Sequence, residues 1–235
     1  MTAAWTAAMP RAMLSAFTLA VRQLGDPAVL RVLAKSLVLT LLIVAMLGTG
    51  LWWLAERGLA WAGLEQGRGL IALLGALIAG WLLWRIVALA VLQFFADEVV
   101  EAVEARHYPQ ALRSARKLAW REELTVGLRG AVRALGWNLA ALPVALVLVV
   151  TGVGPPLVFF LVNAVLLGRE LQDMVWLRHR HDSQAPAPLS GTSRAALGGV
   201  VAGLMAVPFV NLLAPLLGAA AATHLVHRAK APNAA

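Results

Sequence analysis

Apolar and polar positions alternate in long blocks along this chain. Pro10 to Leu24 is short, with Met13, Leu14, Phe17 and Val21 near helical spacing and Arg11, Ser15, Arg22 and Gln23 between them. That pattern fits a helix lying at a membrane interface over residues 1–25, or one packed on other helices. Gly25-Asp26-Pro27 breaks it. Asp26 can cap the next helix and Pro27 suits its first turn.

The next block carries Arg31 and Lys35 on adjacent turns. Ser36 to Ala55 follows without a charge, long enough for one full span over residues 27–56. Trp52 and Trp53 stand at its far end, where indoles favour the water boundary. Glu56 to Arg68 reads as a short loop. Residues 69–108 then predict a second, longer helix. Leu70 to Trp84 is uncharged, Arg85 interrupts, Ile86 to Ala96 resumes, and Asp97, Glu98, Glu101 and Glu104 form an acidic extension. Leu70 to Ala96 as one helix would be about 40 Å long, against about 30 Å for a bilayer core, so it would cross with a tilt.

Residues 109–133 are rich in arginine and predict surface helices. Ala134 to Val150 and Leu157 to Gly168 are apolar, separated by the breaker Thr151-Gly-Val-Gly-Pro-Pro156, which predicts a helical hairpin over 134–177. Ser183 to Thr192 is a loop. The last apolar block, Ala195 to Val226, is split by Pro208 and Pro215 into halves of about 18 Å. Each half is too short to span, so the block is either one kinked span or a re-entrant hairpin over 194–228.

Composition sharpens this picture. Hydrophobic residues make up 60% of the 235, charged residues only 14%. A soluble domain is roughly 45–50% apolar, so the chain reads as one integral membrane unit. The net charge of +8 would suggest nucleic acid on a soluble protein. Here the basic residues flank apolar runs and serve topology instead, and no nucleic-acid partner is expected. With both hairpins returning, 17 of the 20 basic residues share one side, leaving only Arg57, Arg68 and Arg85. That bias favours the hairpin over a single final span and puts both termini in the cytoplasm of an inner-membrane protein. The absence of cysteine excludes disulfides and thiolate metal sites.

Four stretches carry a family resemblance: Leu24-Gly-Asp-Pro-Ala-Val-Leu-Arg31, Phe95-Ala-Asp-Glu-Val-Val, Leu167-Gly-Arg-Glu170, and Pro208-Phe-Val-Asn-Leu-Leu-Ala-Pro215 leading into Ala222-Thr-His224. On these the chain resembles the CysZ-like, etoposide-induced-protein family. The resemblance implies a sulfate permease fold: all-α, two long transmembrane helices, two half-penetrating hairpins and an oligomeric assembly in the lipid bilayer. It also implies an anion site at Pro27, Leu30 and Arg31, similar to the family's Pro-Gly-Leu-Arg turn. Ala28-Val29 stands where that turn has a single glycine.

Arg31 lies one turn inside a helix N-terminus, where N–H groups and the helix dipole favour an oxyanion, and Lys35 adds charge one turn on. The bland alternative is that both anchor the span to anionic lipid. Arg85 is either a stepping point for the anion or the partner of a carboxylate such as Glu170. Asn138, Asn163 and Asn211 are amides inside apolar blocks; with Pro208 and Pro215 they are pathway-lining or structural. Asp97, Glu101 and Glu104 share one helical face and are expected to pair with the arginines of 113–133. His224 and His227 are three apart, a spacing that can bind metal, but with no third ligand evident they read as interfacial. No metal, cofactor or catalytic group is expected, and without a G-x-x-x-x-G-K-[ST] motif the chain does not use ATP itself.

The expected function is a permease or channel taking a small oxyanion, sulfate by resemblance, into the cytoplasm. The alternatives are a membrane scaffold that packs through Gly75, Ala79, Gly80 and 218–222, and a membrane-embedded enzyme using the acidic cluster and His107.

Overall fold

The computed structural model describes the backbone of residues 2–64, 66–180, 182, 184–207 and 210–230. Side chains are described within these ranges except at 2–9, 85, 86, 89, 90 and 92–94. Pro208 and the side chain of Arg85, both singled out above, lie outside the described residues. The described chain is helical, with no strand, and its contacts form two compact units, Pro27–Phe95 and Met1–Asp26 with Ala96–Ala235.

The first unit is a helical hairpin of α2 (Pro27–Trp61) and α3 (Arg68–Phe94). α2 continues past the expected end at Glu56. Nothing before Gly63 breaks a helix, and the reversal comes at Gly63 and Gly67, with φ of 83° and 74°, a region suited to glycine. Arg57 lies 4.0 Å over the Trp53 ring, which holds the charged end against the indole belt. Leu37, Leu41, Met46, Leu70, Ile78 and Trp81 are exposed. Such a large apolar surface on so few elements is what lipid covers. Small residues Gly48, Ala76 and Gly80 open a cleft of about 550 Å³ between the helices, walled by Trp52, Trp81 and Trp84.

The second unit holds α1 (Thr2–Gln23), α4 (Ala96–His107), α5 (Pro109–Ser114), α6 (Trp120–Val147), α7 (Gly154–His179), α8 (Gly191–Ala206) and α9 (Ala214–Lys230). α4 is a separate helix: the long helix expected over 69–108 ends at Phe94, and the acidic extension begins anew at Ala96. The expected surface helices and the first arm of the hairpin also merge. From Trp120 to Val147 the chain is one helix, because no breaker separates the polar half from the apolar half and Pro143 is accommodated. The helix tightens into a 3₁₀ turn at Leu148–Thr151, and Gly152, with φ 70°, turns the chain into α7.

Pro27–Trp61, Trp120–Thr151 and Gly154–His179 are each long and apolar enough to cross a membrane. α6 and α7 are therefore not limited by length to half-penetration. α8 and α9, at 16 and 17 residues, correspond to about 25 Å of helix each.

α9 is the centre of this unit and is buried along nearly its whole length, from Ala214 to Ala229. α1, α4, α7 and α8 pack around it. α1 offers the face Met13, Ala16, Ala20 and Gln23 and leaves Leu14 and Val21 exposed, so the packed-helix reading of this segment describes one face. α7 and α8 cross through Gly168 and Gly198. A Cβ at Gly168 would overlap the carbonyl oxygen of Arg194, and one at Gly198 would overlap that of Ala164. Backbones approach this closely only where no side chain intervenes.

Candidate functional site

The residues expected to bind an anion lie on the first two turns of α2. Pro27, Leu30, Arg31 and Lys35 fall at positions i, i+3, i+4 and i+8 and are all exposed, while Val29, Val32 and Ser36 on the other side are buried. Arg31 donates from Nε to the Pro27 carbonyl at 3.3 Å. The bond lies in the first turns of α2, at the end where a helix dipole is positive.

The apolar-block amides divide. Asn138 and Asn163 each donate to the carbonyl four residues back, Ala134 and Phe159, at 2.8 Å. Both bonds are local, and Asn163 is exposed. Asn211 is buried in the 3₁₀ turn Val210–Leu212, its backbone N–H donating to the Val207 carbonyl at 3.0 Å. Pro215, buried, opens α9 in its first turn, the position proline tolerates.

The second unit contains the most polar interior. Glu104 of α4 is fully buried. Its Oε1 lies 2.6 Å from Nε2 of His179 at the end of α7 and 3.0 Å from Nε2 of His227 on α9. Burial alone would push the Glu104 carboxyl up; hydrogen bonds from the two histidines and the charge of Arg178 outweigh it and hold it at about 2. The Tyr108 ring stacks on His227 at 4.5 Å, and its hydroxyl meets Nδ1 of His224 at 3.0 Å. Nε2 of His224 in turn lies 3.1 Å from the Gln23 amide of α1. One continuous network thus ties α1, α4, α7 and α9 together.

Two expectations change here. The acidic face of α4 does not meet the arginines of 113–133 in its best contacts: Glu101 pairs with Arg178 of α7 at 2.9 Å, and Arg116 pairs instead with Glu122 through two bonds of 2.8 and 2.6 Å. His224 and His227 are not interfacial but buried, because α9 is a core helix. His227 gains from α4 and α7 the partners that its own helix lacks. His179 stands in the run Arg178-His179-Arg180-His181, whose charge alone reads as a basic tail.

Beside this network opens a cleft of about 770 Å³ between α6 and α7, edged by Arg116, Lys117, Arg129, Arg133, Arg178 and Arg180. Asp97 and Glu101 lie on its acidic side, and burial pushes the Asp97 carboxyl up. The mixed signs make it a polar cleft, crossed by the pairs Arg178–Glu101 and Arg169–Asp173.

Apolar helices long enough to cross a bilayer and strand-free backbone among the described residues define an all-α membrane protein. The sulfate transporter CysZ/etoposide-induced protein 2.4 family matches residues 16–215, and this chain belongs to that family, one of transporters. Searches of curated proteins and of solved structures return no match.

Proposed function

We propose that this chain is a permease or channel for a small inorganic oxyanion, sulfate first, carrying it into the cytoplasm across an inner membrane as a homo-oligomer. The observation that carries the reading is the exposed face of Pro27, Leu30, Arg31 and Lys35 at the start of the 35-residue α2. A helix start offers N–H groups with no partner inside the helix, and the dipole there favours negative charge. Arg31 adds a planar, permanently charged fork suited to two oxygens of a tetrahedral anion. Lys35 adds a point charge one turn further on. Arg85, in the apolar length of α3, offsets the loss of hydration on the way through. Asn211, buried in its 3₁₀ turn, and Pro215 belong to a second candidate passage element.

The test is uptake of radiolabelled sulfate into liposomes holding purified protein, with Arg31→Ala and Arg31→Lys beside wild type. Losing charge-assisted hydrogen bonds worth roughly 1.5–3 kcal/mol should weaken apparent affinity by about 10- to 150-fold in the alanine variant. Lysine should restore only part of it, because a point charge replaces the fork. Uptake by folded, assembled Arg31→Ala equal to wild type would remove the site. No saturable flux by any of the proteins, with or without a proton gradient, would remove sulfate as the substrate.

A further inference from the structure

We infer that Glu104, His179 and His227 form a binding site for a divalent transition-metal ion, with zinc the best match. One carboxylate oxygen and two imidazole nitrogens, contributed by α4, α7 and α9, lie within 4.8 Å of one another, and all three residues are buried. Two imidazoles and a carboxylate are a donor set that zinc takes readily, and it leaves a fourth position for water or another group. Calcium and magnesium prefer all-oxygen shells and are disfavoured here.

The hydrogen-bond pattern of the cluster favours an ion over a simple clamp. Both Nε2 atoms converge on the same oxygen, Oε1, at 2.6 and 3.0 Å. Oε2 of the same fully buried carboxylate accepts no hydrogen bond, and its nearest cation, Arg178, stands 4.0 Å away. A buried carboxylate ordinarily distributes its partners over both oxygens, and leaving one without any costs about 1–3 kcal/mol or more. An ion held by both carboxylate oxygens, or one whose bound water donates to Oε2, would give that orphan oxygen a partner. The two nitrogens turn lone pairs rather than protons toward the centre, and the carboxylate neutralises part of the added charge. The surroundings also resemble a second shell. Tyr108 stacks on His227, and Arg178 bridges Glu101 and Glu104. Outer groups of this kind orient ligands.

Such an ion would pin the core helix α9 to α4 and to the end of α7. The prediction concerns binding and stability and does not depend on which anion, if any, crosses the membrane. Tag-free, full-length protein in detergent is stripped with chelator, equilibrated with zinc, passed through a desalting column and assayed by elemental analysis. The expected result is one zinc per chain, with a thermal midpoint that rises on adding zinc and falls again with chelator. Cobalt should give visible absorption bands of a low-coordinate nitrogen–oxygen site. Glu104→Gln and His227→Gln should weaken zinc by at least about 100-fold, since outer-shell changes alone cost ~10–100-fold. His224→Gln, a buried neighbour facing Tyr108 and Gln23, should keep the stoichiometry. Wild-type protein that retains no zinc and whose midpoint ignores zinc and chelator would overturn the site and leave a hydrogen-bonded clamp. So would full zinc occupancy in Glu104→Gln. Where the variants fail to fold, the wild-type chelator shift and cobalt spectrum decide alone.

Discussion

Replacing Gly198 by alanine adds one carbon at the point where α7 and α8 cross. That carbon would lie 2.9 Å from the carbonyl carbon of Ala164 and overlap both its oxygen and the Gly168 nitrogen. All three atoms are backbone, so no side chain can rotate aside. The helices must part by about 1 Å or tilt. A gap of that size forfeits a quarter to a half of the dispersion energy of each contact it opens. The affected contacts include Leu197 and Val201, both fully buried. Overpacking in a fixed core costs about 1–3 kcal/mol, occasionally more. With backbone on both sides the upper end applies, near 3 kcal/mol, or roughly 150-fold in the folded-to-unfolded ratio. The companion variant is Gly203→Ala in the same helix, where a new Cβ meets nothing within 4 Å. Alanine is the better helix former by about 0.5–1 kcal/mol, so this variant should be neutral or stabilised. Denaturation in mixed micelles, read by circular dichroism and by the monodisperse fraction on gel filtration, measures both. Gly168→Ala should behave like Gly198→Ala. The double variant should cost less than the sum, because the first substitution already opens the crossing. Equal behaviour of Gly198→Ala and Gly203→Ala would refute the close approach.

Three further outcomes are expected. In chelator-treated protein, Glu104, held at about 2 when folded against an ordinary value near 4.3, contributes stability that is complete above pH ~4.3 and lost as pH falls through 2. The stability difference between wild type and Glu104→Gln should therefore change across that window in acid titrations, in the direction that disfavours wild type as pH falls, and a difference unchanged down to pH 2 would contradict the network. Arg178→Gln leaves Glu101 without its 2.9 Å partner and Glu104 without its nearest guanidinium, so it should lower the thermal midpoint more than Arg116→Gln, whose pair with Glu122 is half exposed. The chain has no cysteine, which makes single-cysteine labelling clean. Gln66→Cys and Gln184→Cys should react with a membrane-impermeant maleimide from opposite sides. Val150→Cys, at the exposed turn between α6 and α7, should react from the Gln66 side if the hairpin crosses and from neither side if it stops midway.

The elements that could be read from the chain are those whose signal is local. Proline and glycine at 25–27 and 151–156 mark helix breaks because they restrict or free the backbone on the spot, and helices end at both places. The break at Phe95 carries no such mark. Phe-Ala-Asp is compatible with a continuing helix, and α4 separates only because its face of Val99, Val100 and Val103 is buried in the second unit. The merger of the arginine-rich segment with the first hairpin arm was hidden for the opposite reason. A change from polar to apolar composition alters what surrounds a helix, not whether it continues, so Trp120 to Val147 is one element with two environments.

The same distinction explains the sites. Pro27, Leu30, Arg31 and Lys35 lie within nine residues of one helix, so spacing assigns them to one face; that Pro27, Leu30 and Arg31 bind an anion is implied by the family resemblance and stands as the proposal above. Glu104, His179 and His227 come from three helices separated by 75 and 48 residues. No periodicity relates them, and His179 stands in an Arg-His-Arg-His run whose simplest reading is solvation. One faint signal did exist. A histidine pair at 224 and 227, in a stretch (216–227) otherwise made of Gly, Ala, Leu, Val and Thr, is costly to bury without partners, so a helix that small and apolar, if central, requires polar groups to come to it. α9 is central because its alanines and Gly218 let four helices approach. The close packing that makes it a core helix also brings the carboxylate of α4 and the last imidazole of α7 onto His227. The polar cluster follows from the small residues: enlarge Gly218, which already has Val201 methyls 3.1 Å from where a Cβ would stand, and the cluster should loosen with the packing around it.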